Sequence, residues 1–343
     1  MTDTDRTIAI AGGSGFIGRA IVRRLLATPG LKVRLLTRDP EKARARLTRD
    51  SKAEDHGTVE PSSKMEPPPN MEPPGKIESL GNIETLGNIE FVTADVNAAA
   101  QLPKALAGAD TIISAVQFDG YPIENPSRGL TFNRVDYGGT IALIAAAKAA
   151  AVADFIYISG AAADERSPNP AFRAKGRAER ALRDSGLTYT ILRPSLVYGP
   201  EDRVVNGLAK ALRMSPVMVV PGSGRQQMRP LFVDDLAACV ALAVGGRGHN
   251  KIYEVGGPDL MTFDDLVRLL MQITGRRRPL IHVPENLLLI AGAIAEKLPG
   301  ALFSRDAVAF LVADNDCDIQ PLMAEFGLTL TPASEALAYL AGA

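Results

Sequence analysis

Ile8-Ala-Ile-Ala-Gly12-Gly13-Ser14-Gly15-Phe16-Ile17-Gly18 stands near the start of the chain. Its glycines fit Gly-x-x-Gly-x-x-Gly through Gly12, Gly15 and Gly18, and Gly-x-Gly-x-x-Gly through Gly13, Gly15 and Gly18. An apolar run at 7–11 precedes the loop and an amphipathic run at 16–27 follows it. Strand, glycine turn and helix in this order form the phosphate-binding turn of a dinucleotide site. Gly12 permits the tight turn, Gly15 lets the backbone approach a pyrophosphate, and Gly18 lets the helix pack close to the sheet. Free N–H groups at the helix start then hold the phosphates, helped by the helix dipole. With no ligand, the same pattern is a plain strand-turn-helix.

Working outward, strands are predicted at 32–37, 89–93, 111–116 and 155–159, with a sixth inside 188–198. Helices are predicted at 139–150 and 173–184. The strands are apolar almost throughout, as expected when both faces of a parallel sheet are covered. The fold class is therefore α/β: a Rossmann doubly wound parallel sheet over residues 1–195. After Ser195 the rhythm breaks, and 196–343 reads as a smaller mixed α/β lobe for a substrate or partner, beside the sheet's carboxyl edge. Within it, Thr262-Phe-Asp-Asp265 reads as a capped helix start. The apolar run at 287–295 reads as a helix that is buried or faces a partner.

The end of the second strand bears on the cofactor. An acidic residue there holds the ribose 2′-hydroxyl of NAD, whereas an arginine accommodates a 2′-phosphate. The strand ends Thr37-Arg38-Asp39-Pro40, so Arg38 comes first and Asp39 also suits the start of a helix before Pro40. The expectation is NADP(H), with NAD(H) the alternative and a solvated Arg38 the bland reading.

A stretch at about 50–88 interrupts the pattern. It is rich in proline and repeats itself: Met65-Glu-Pro-Pro returns at Met71, and Ile77-Glu-Ser-Leu-Gly-Asn returns as Ile83-Glu-Thr-Leu-Gly-Asn. It reads as a surface insertion. The formal charge of −1 over 343 residues offers nothing to nucleic acid. Cys239 and Cys317 fit no metal motif and no disulfide framework, and His56, His249 and His282 stand far apart. No metal site is expected. The N-terminus carries no signal-peptide pattern and no run reaches the length of a membrane span, so a cytoplasmic location is expected.

Several segments resemble the extended and atypical short-chain dehydrogenase/reductases: the glycine loop, Phe91-Val-Thr-Ala-Asp95-Val96, residues 135–148, residues 190–202, and Gln227-Met-Arg-Pro-Leu-Phe-Val-Asp-Asp-Leu236. Tyr253-Glu-Val-Gly-Gly-Pro258 and residues 304–311 look closest to the branch that holds the nucleotide-binding accessory subunit of respiratory complex I. NmrA-like and NAD-dependent epimerase/dehydratase bacterial proteins belong to the same branch. The resemblance implies that Gly12, Ser14, Gly15, Phe16, Ile17 and Gly18 line the pyrophosphate and that Arg38 meets the 2′-phosphate. Asp95 and Val96 would flank the adenine. Ala115 and Val116 would touch the adenosine-side ribose and the nicotinamide side, and Pro194, Ser195 and Val197 would pass beside the carboxamide.

The superfamily's reductases use a Tyr-x-x-x-Lys pair with a serine or threonine. Lys175 stands at the lysine position, where it would bind the nicotinamide ribose, but Ala171 occupies the tyrosine position. Ser159 resembles the first serine of the family's run, while the catalytic position falls on Ala161. Lys175 and Ser159 are thus the only candidate catalytic residues. Asp136 stands where many relatives have asparagine, either near the active site or capping the next helix. Asp234-Asp235 reads as an N-cap with a dipole-favoured neighbour, and Arg229 as a contact for an acidic substrate or a salt-bridged surface cation. Two functions are expected as alternatives. One is a dinucleotide-binding protein with degenerate catalytic residues and a structural or redox-sensing role, with a respiratory complex or other protein as possible partner. The other is an active oxidoreductase of the NmrA-like or quinone-reductase type on a small molecule.

Overall fold

The computed structural model describes residues 6–53, 88–295, 308, 311–313 and 315–341. The first half runs β1 (Arg6–Ala11), α1 (Phe16–Leu26), β2 (Leu31–Thr37), α2 (Pro40–Ala53), β3 (Ile89–Thr93), α3 (Leu102–Leu106), β4 (Thr111–Ser114), α4 (Gly139–Ala149), β5 (Asp154–Ile158), α5 (Pro170–Arg183) and β6 (Thr188–Pro194). There follow β7 (Val197–Tyr198), α6 (Val204–Met214), β8 (Met218–Pro221), β9 (Gln227–Met228), β10 (Leu231–Phe232), α7 (Val233–Val244), β11 (Lys251–Val255), β12 (Met261–Thr262), α8 (Phe263–Thr274), β13 (Leu280–Val283) and α9 (Glu285–Ala295).

Seven strands form one parallel sheet in the order β11-β6-β5-β4-β1-β2-β3. The order reverses between β1 and β4, and a crevice at that switch point is where such a sheet takes its ligand. Alternation along β1 explains why both faces are covered. Ile8 and Ile10 point into one core with Ile21, Leu25, Leu236 and Val240 of α1 and α7. Ala9 and Ala11 point into the other, with Leu102, Leu106, Leu143 and Leu182 of α3, α4 and α5. β11 comes from the second half of the chain and completes the sheet beside β6. The rest of that half builds a separate core around Tyr198, Val205, Leu212, Val220, Phe263 and Leu270, with three two-stranded sheets.

Local chemistry sets several boundaries. α5 starts earlier than its apolar pattern suggests, because Asn169 caps it by accepting from the Ala171 and Phe172 N–H groups and Pro170 fits the first turn. α8 has the expected cap: Thr262 and Asp265 form a reciprocal capping box. At α7 the expected cap is replaced. Phe232 is the N-cap residue without a side-chain bond, Asp234 pairs with Arg23, and Asp235 accepts from Thr331. α9 is not buried, for Leu287 and Ile290 are 58% and 59% exposed. Of the expected insertion, residues 50–53 belong to α2, and 54–87 lie outside the described residues.

Candidate functional site

A cleft of about 550 Å³ opens at the β1/β4 switch point. Gly12 makes it possible. Its φ of +85° belongs to the left-handed region, and a Cβ there would fall 2.3 Å from the Ala115 carbonyl oxygen at the end of β4. Gly18 has no more room: its Cβ would lie 2.2 Å from the Gly12 oxygen, so α1 sits directly on the turn. Gly15 is the N-cap of α1, and the first helical turn carries no acidic residue. The positive helix end therefore meets the cleft without internal neutralisation, which suits a pyrophosphate.

Gly12, Ser14, Gly15, Phe16, Ile17 and Gly18 all line the cleft, as do Arg38, Asp95, Val96, Ala115, Val116, Ser159 and Lys175. Pro194, Ser195 and Val197 do not line it. The Ser195 hydroxyl instead donates to the Asn315 carbonyl at 2.9 Å. At the β2 end of the cleft, Asp39 accepts from the Lys42 N–H at 2.9 Å, so its carboxylate caps α2. Arg38 pairs with Asp119 at 2.9 Å. Lys42 and Arg46 also line this end. They follow Arg38 at intervals of four, a signal present in the sequence, and Arg46 donates to the Ser14 carbonyl.

The opposite end holds the buried polar groups. Lys175 on α5 is 6% exposed, with its ammonium 5.9 Å from the Tyr157 ring centre. Burial holds its pKa below the usual value, against the pull of Asp136 and Glu179. Asp136 is not a helix cap. It lies in a π-helical turn (Phe132–Gly138) that leads into α4, and is 1% exposed with neither carboxyl oxygen hydrogen-bonded. Burial pushes its pKa up to about 7, although Lys175 draws it down. The Ser159 hydroxyl donates to Glu179 at 2.5 Å. Glu179 in turn accepts two bonds from Arg193, at 2.9 and 2.6 Å. Glu179 sits four residues after Lys175 on the same helix face, and that spacing was the available sign of its role.

Ala171 is 5% exposed and packed in the core beneath α5. Burial, then the charges of Asp136 and Glu179, push the Tyr157 phenol well above its usual value. Tyr198 is fully buried in the second lobe. Tyr121 packs against Phe118 and Phe132, and Phe118 lines the cleft. Arg229 is held by Asp316 at 3.1 Å and the Pro258 carbonyl at 3.2 Å. Cys239 and Cys317 are free and buried. Among the described residues no cluster could hold a metal ion, and no helix is long and apolar enough to cross a membrane.

The chain is similar to several known proteins. The ceramide reductase of Caulobacter vibrioides is 28% identical over 301 residues, which cover 86% of this chain and 79% of that protein. The mitochondrial NADH dehydrogenase (ubiquinone) 1 alpha subcomplex subunit 9 of Arabidopsis thaliana is 32% identical over 118 residues. That match covers 34% of this chain and only 29% of the plant subunit. The NADPH-dependent quinone oxidoreductase QOR2 of Escherichia coli, in a structure with NADPH, aligns with a TM-score of 0.69 at 22% identity. It covers 97% of this chain and 99% of its own, a likeness of fold. The glycine turn, the switch-point cleft and the parallel sheet, save the first two residues of β1, fall within residues 8–256, which match the model of the NAD dependent epimerase/dehydratase family, and the chain belongs to that family.

Proposed function

We propose that the chain binds NADP(H) in the switch-point cleft and serves mainly as a dinucleotide-binding, redox-sensing protein with little turnover of ordinary ketones. One observation carries this reading: the Ser159 hydroxyl is already donated to Glu179, in a site where the resemblance puts the buried Ala171 at the place of the acid phenol. A bound nicotinamide supplies or accepts a hydride, but carbonyl reduction also needs a proton. General acid catalysis contributes roughly 10²–10⁴-fold, and this chain lacks its usual donor. Lys175 would still hold the nicotinamide ribose. Arg38, Lys42 and Arg46 suit a 2′-phosphate, and Asp39 is committed to capping. The short match to the plant respiratory subunit supports a protein partner as the reader of cofactor state.

A second reading rests on Asp136. A buried carboxyl with a pKa of about 7 beside Lys175 is a proton reservoir inside the fold. In this reading Lys175 gives its proton to a substrate oxygen and Asp136 replaces it.

Fluorescence titration with NADPH and NADH, followed by an absorbance screen with ketones and quinones, separates the two. Tight NADPH binding without robust oxidation supports the first. Robust turnover that Asp136→Asn abolishes, with NADPH affinity retained, overturns it in favour of the second.

A further inference from the structure

Six large apolar side chains are exposed among the described residues, and five of them lie on two neighbouring segments of the second lobe: Met214, Val219, Ile281, Leu287 and Ile290. β8 and β13 pair in parallel, with Val219 opposite Ile281. Arg278 donates to the Leu212 carbonyl, which ties the segment before β13 to the end of α6 beside Met214. α9 then leaves β13 through Pro284, with Leu287 and Ile290 outward and Glu285 its only charged residue. Helices this apolar are normally covered.

Glu285 apart, the segments that carry this face are rich in cations. Residues 203–233 contain Arg203, Lys210, Arg213, Arg225 and Arg229 and no carboxylate. Residues 266–284 contain Arg268, Arg276, Arg277 and Arg278 and no carboxylate. Asp316 neutralises Arg229, and Asp264 and Asp265 neutralise Arg268. Lys210, Arg276 and Arg277 are exposed and form no ion pair among the described residues. The chain as a whole has a formal charge of −1, so this surplus is local.

We propose that this face docks on an anionic phospholipid bilayer, with α9 lying in the interface. Apolar side chains enter the acyl boundary while unpaired cations meet lipid phosphates, and the two attractions add. Among the described residues no helix is long and apolar enough to cross a bilayer. A symmetric contact with a second copy would set the same arginines against each other, which disfavours self-association. None of the five apolar residues lines the cleft.

The test is co-sedimentation of the full chain with phosphatidylcholine vesicles, alone or with roughly one third phosphatidylglycerol. Two double variants accompany it, Leu287→Glu with Ile290→Glu and Arg276→Glu with Arg277→Glu. All four residues are exposed, so thermal unfolding and NADPH titration should match the wild type. Binding to anionic vesicles alone, weakened by salt and reduced roughly tenfold or more by each double variant, is the expected result. No vesicle binding, equal binding to neutral and anionic vesicles, or variants that bind like the wild type would overturn the proposal. So would a wild-type dimer in light scattering that Leu287→Glu with Ile290→Glu dissociates, if no vesicles are bound.

Discussion

Arg38 at the end of β2 and Asp119 beyond β4 meet at 2.9 Å across one end of the cleft. Both are more than half exposed, so water weakens the pair, and it is a latch that an incoming anion can displace. A 2′-phosphate offers Arg38 more charge and more acceptors than Asp119 does. In the proposed NADP(H) complex the carboxylate competes with the phosphate for one guanidinium.

Removing the competitor should tighten binding. Asp119→Asn is expected to raise NADPH affinity about two- to fivefold, the worth of an exposed ion pair, and to leave NADH affinity unchanged. Arg38→Ala should lower NADPH affinity roughly tenfold or more, again sparing NADH. Fluorescence titration reads both. A wild type that binds the two dinucleotides equally would sink this account.

The glycines should separate fold from ligand. Gly18→Ala drives a methyl against the Gly12 oxygen at 2.2 Å and the Gly13 Cα at 2.5 Å, both backbone atoms. It should cost roughly 1–3 kcal/mol of stability or more. Gly15→Ala meets only the Gly12 oxygen, at 3.3 Å. Thermal unfolding should barely change there, while dinucleotide affinity falls because the new methyl faces the cleft. Equal melting losses in the two variants would contradict this division.

The sequence made the frame legible because the frame is local. Gly12 to Gly18, the apolar strands and the Thr262 cap are short-range patterns with one structural solution each. The rest depends on contacts far apart in the chain. Nothing near Ser159 announces that its hydroxyl is given to Glu179, twenty residues on. Nothing near Ser195 announces Asn315. Asp136 read as either an active-site neighbour or a helix cap, and only the packing of the π-helical turn against α5 shows a buried carboxyl without hydrogen-bond partners. β11 was hidden because residues 196–250 separate it from β6, its neighbour in the sheet.

Asp136 gives a pH signature. Its folded pKa of about 7 lies above the ordinary value of 3.8, so between those values the folded chain holds a proton that the unfolded chain has released. Stability from this group therefore falls as pH rises from about 4 to about 7, and stays low beyond. Asp136→Asn removes the penalty, so its gain in melting temperature over the wild type should be larger at about pH 8 than at about pH 5. A gain that is the same at both would mean the carboxyl titrates normally.

Ser159 should matter for stability more than for chemistry. Ser159→Ala deletes a buried bond to a charged acceptor and should cost roughly 1.5–3 kcal/mol. Glu179 keeps both bonds from Arg193, which limits the loss. Any NADPH oxidation that the protein shows should persist. A variant of unchanged stability whose turnover falls a hundredfold would instead make Ser159 a proton donor, and the bond to Glu179 a feature of the resting chain.

Ala171→Tyr tests whether the site lacks only a phenol. Lys175 follows at the fourth position on the same helix face, so the spacing of the superfamily's pair would be restored. The surroundings argue against rescue. Ala171 is 5% exposed and shares its core with Phe155, Tyr157 and Ala174. Phe118, Tyr121 and Phe132 pack edge-on or tilted in that same core, with ring centres 5.0 to 5.7 Å apart. A tyrosine added there should overpack it, lowering stability by roughly 1–3 kcal/mol. No ketone reductase activity should appear if the ring is held in that core rather than in the cleft. Thermal unfolding and an NADPH oxidation assay with secondary ketones measure the two halves of the claim. A variant as stable as the wild type that reduces ketones would show the core giving way, and a site one hydroxyl short of its relatives' chemistry.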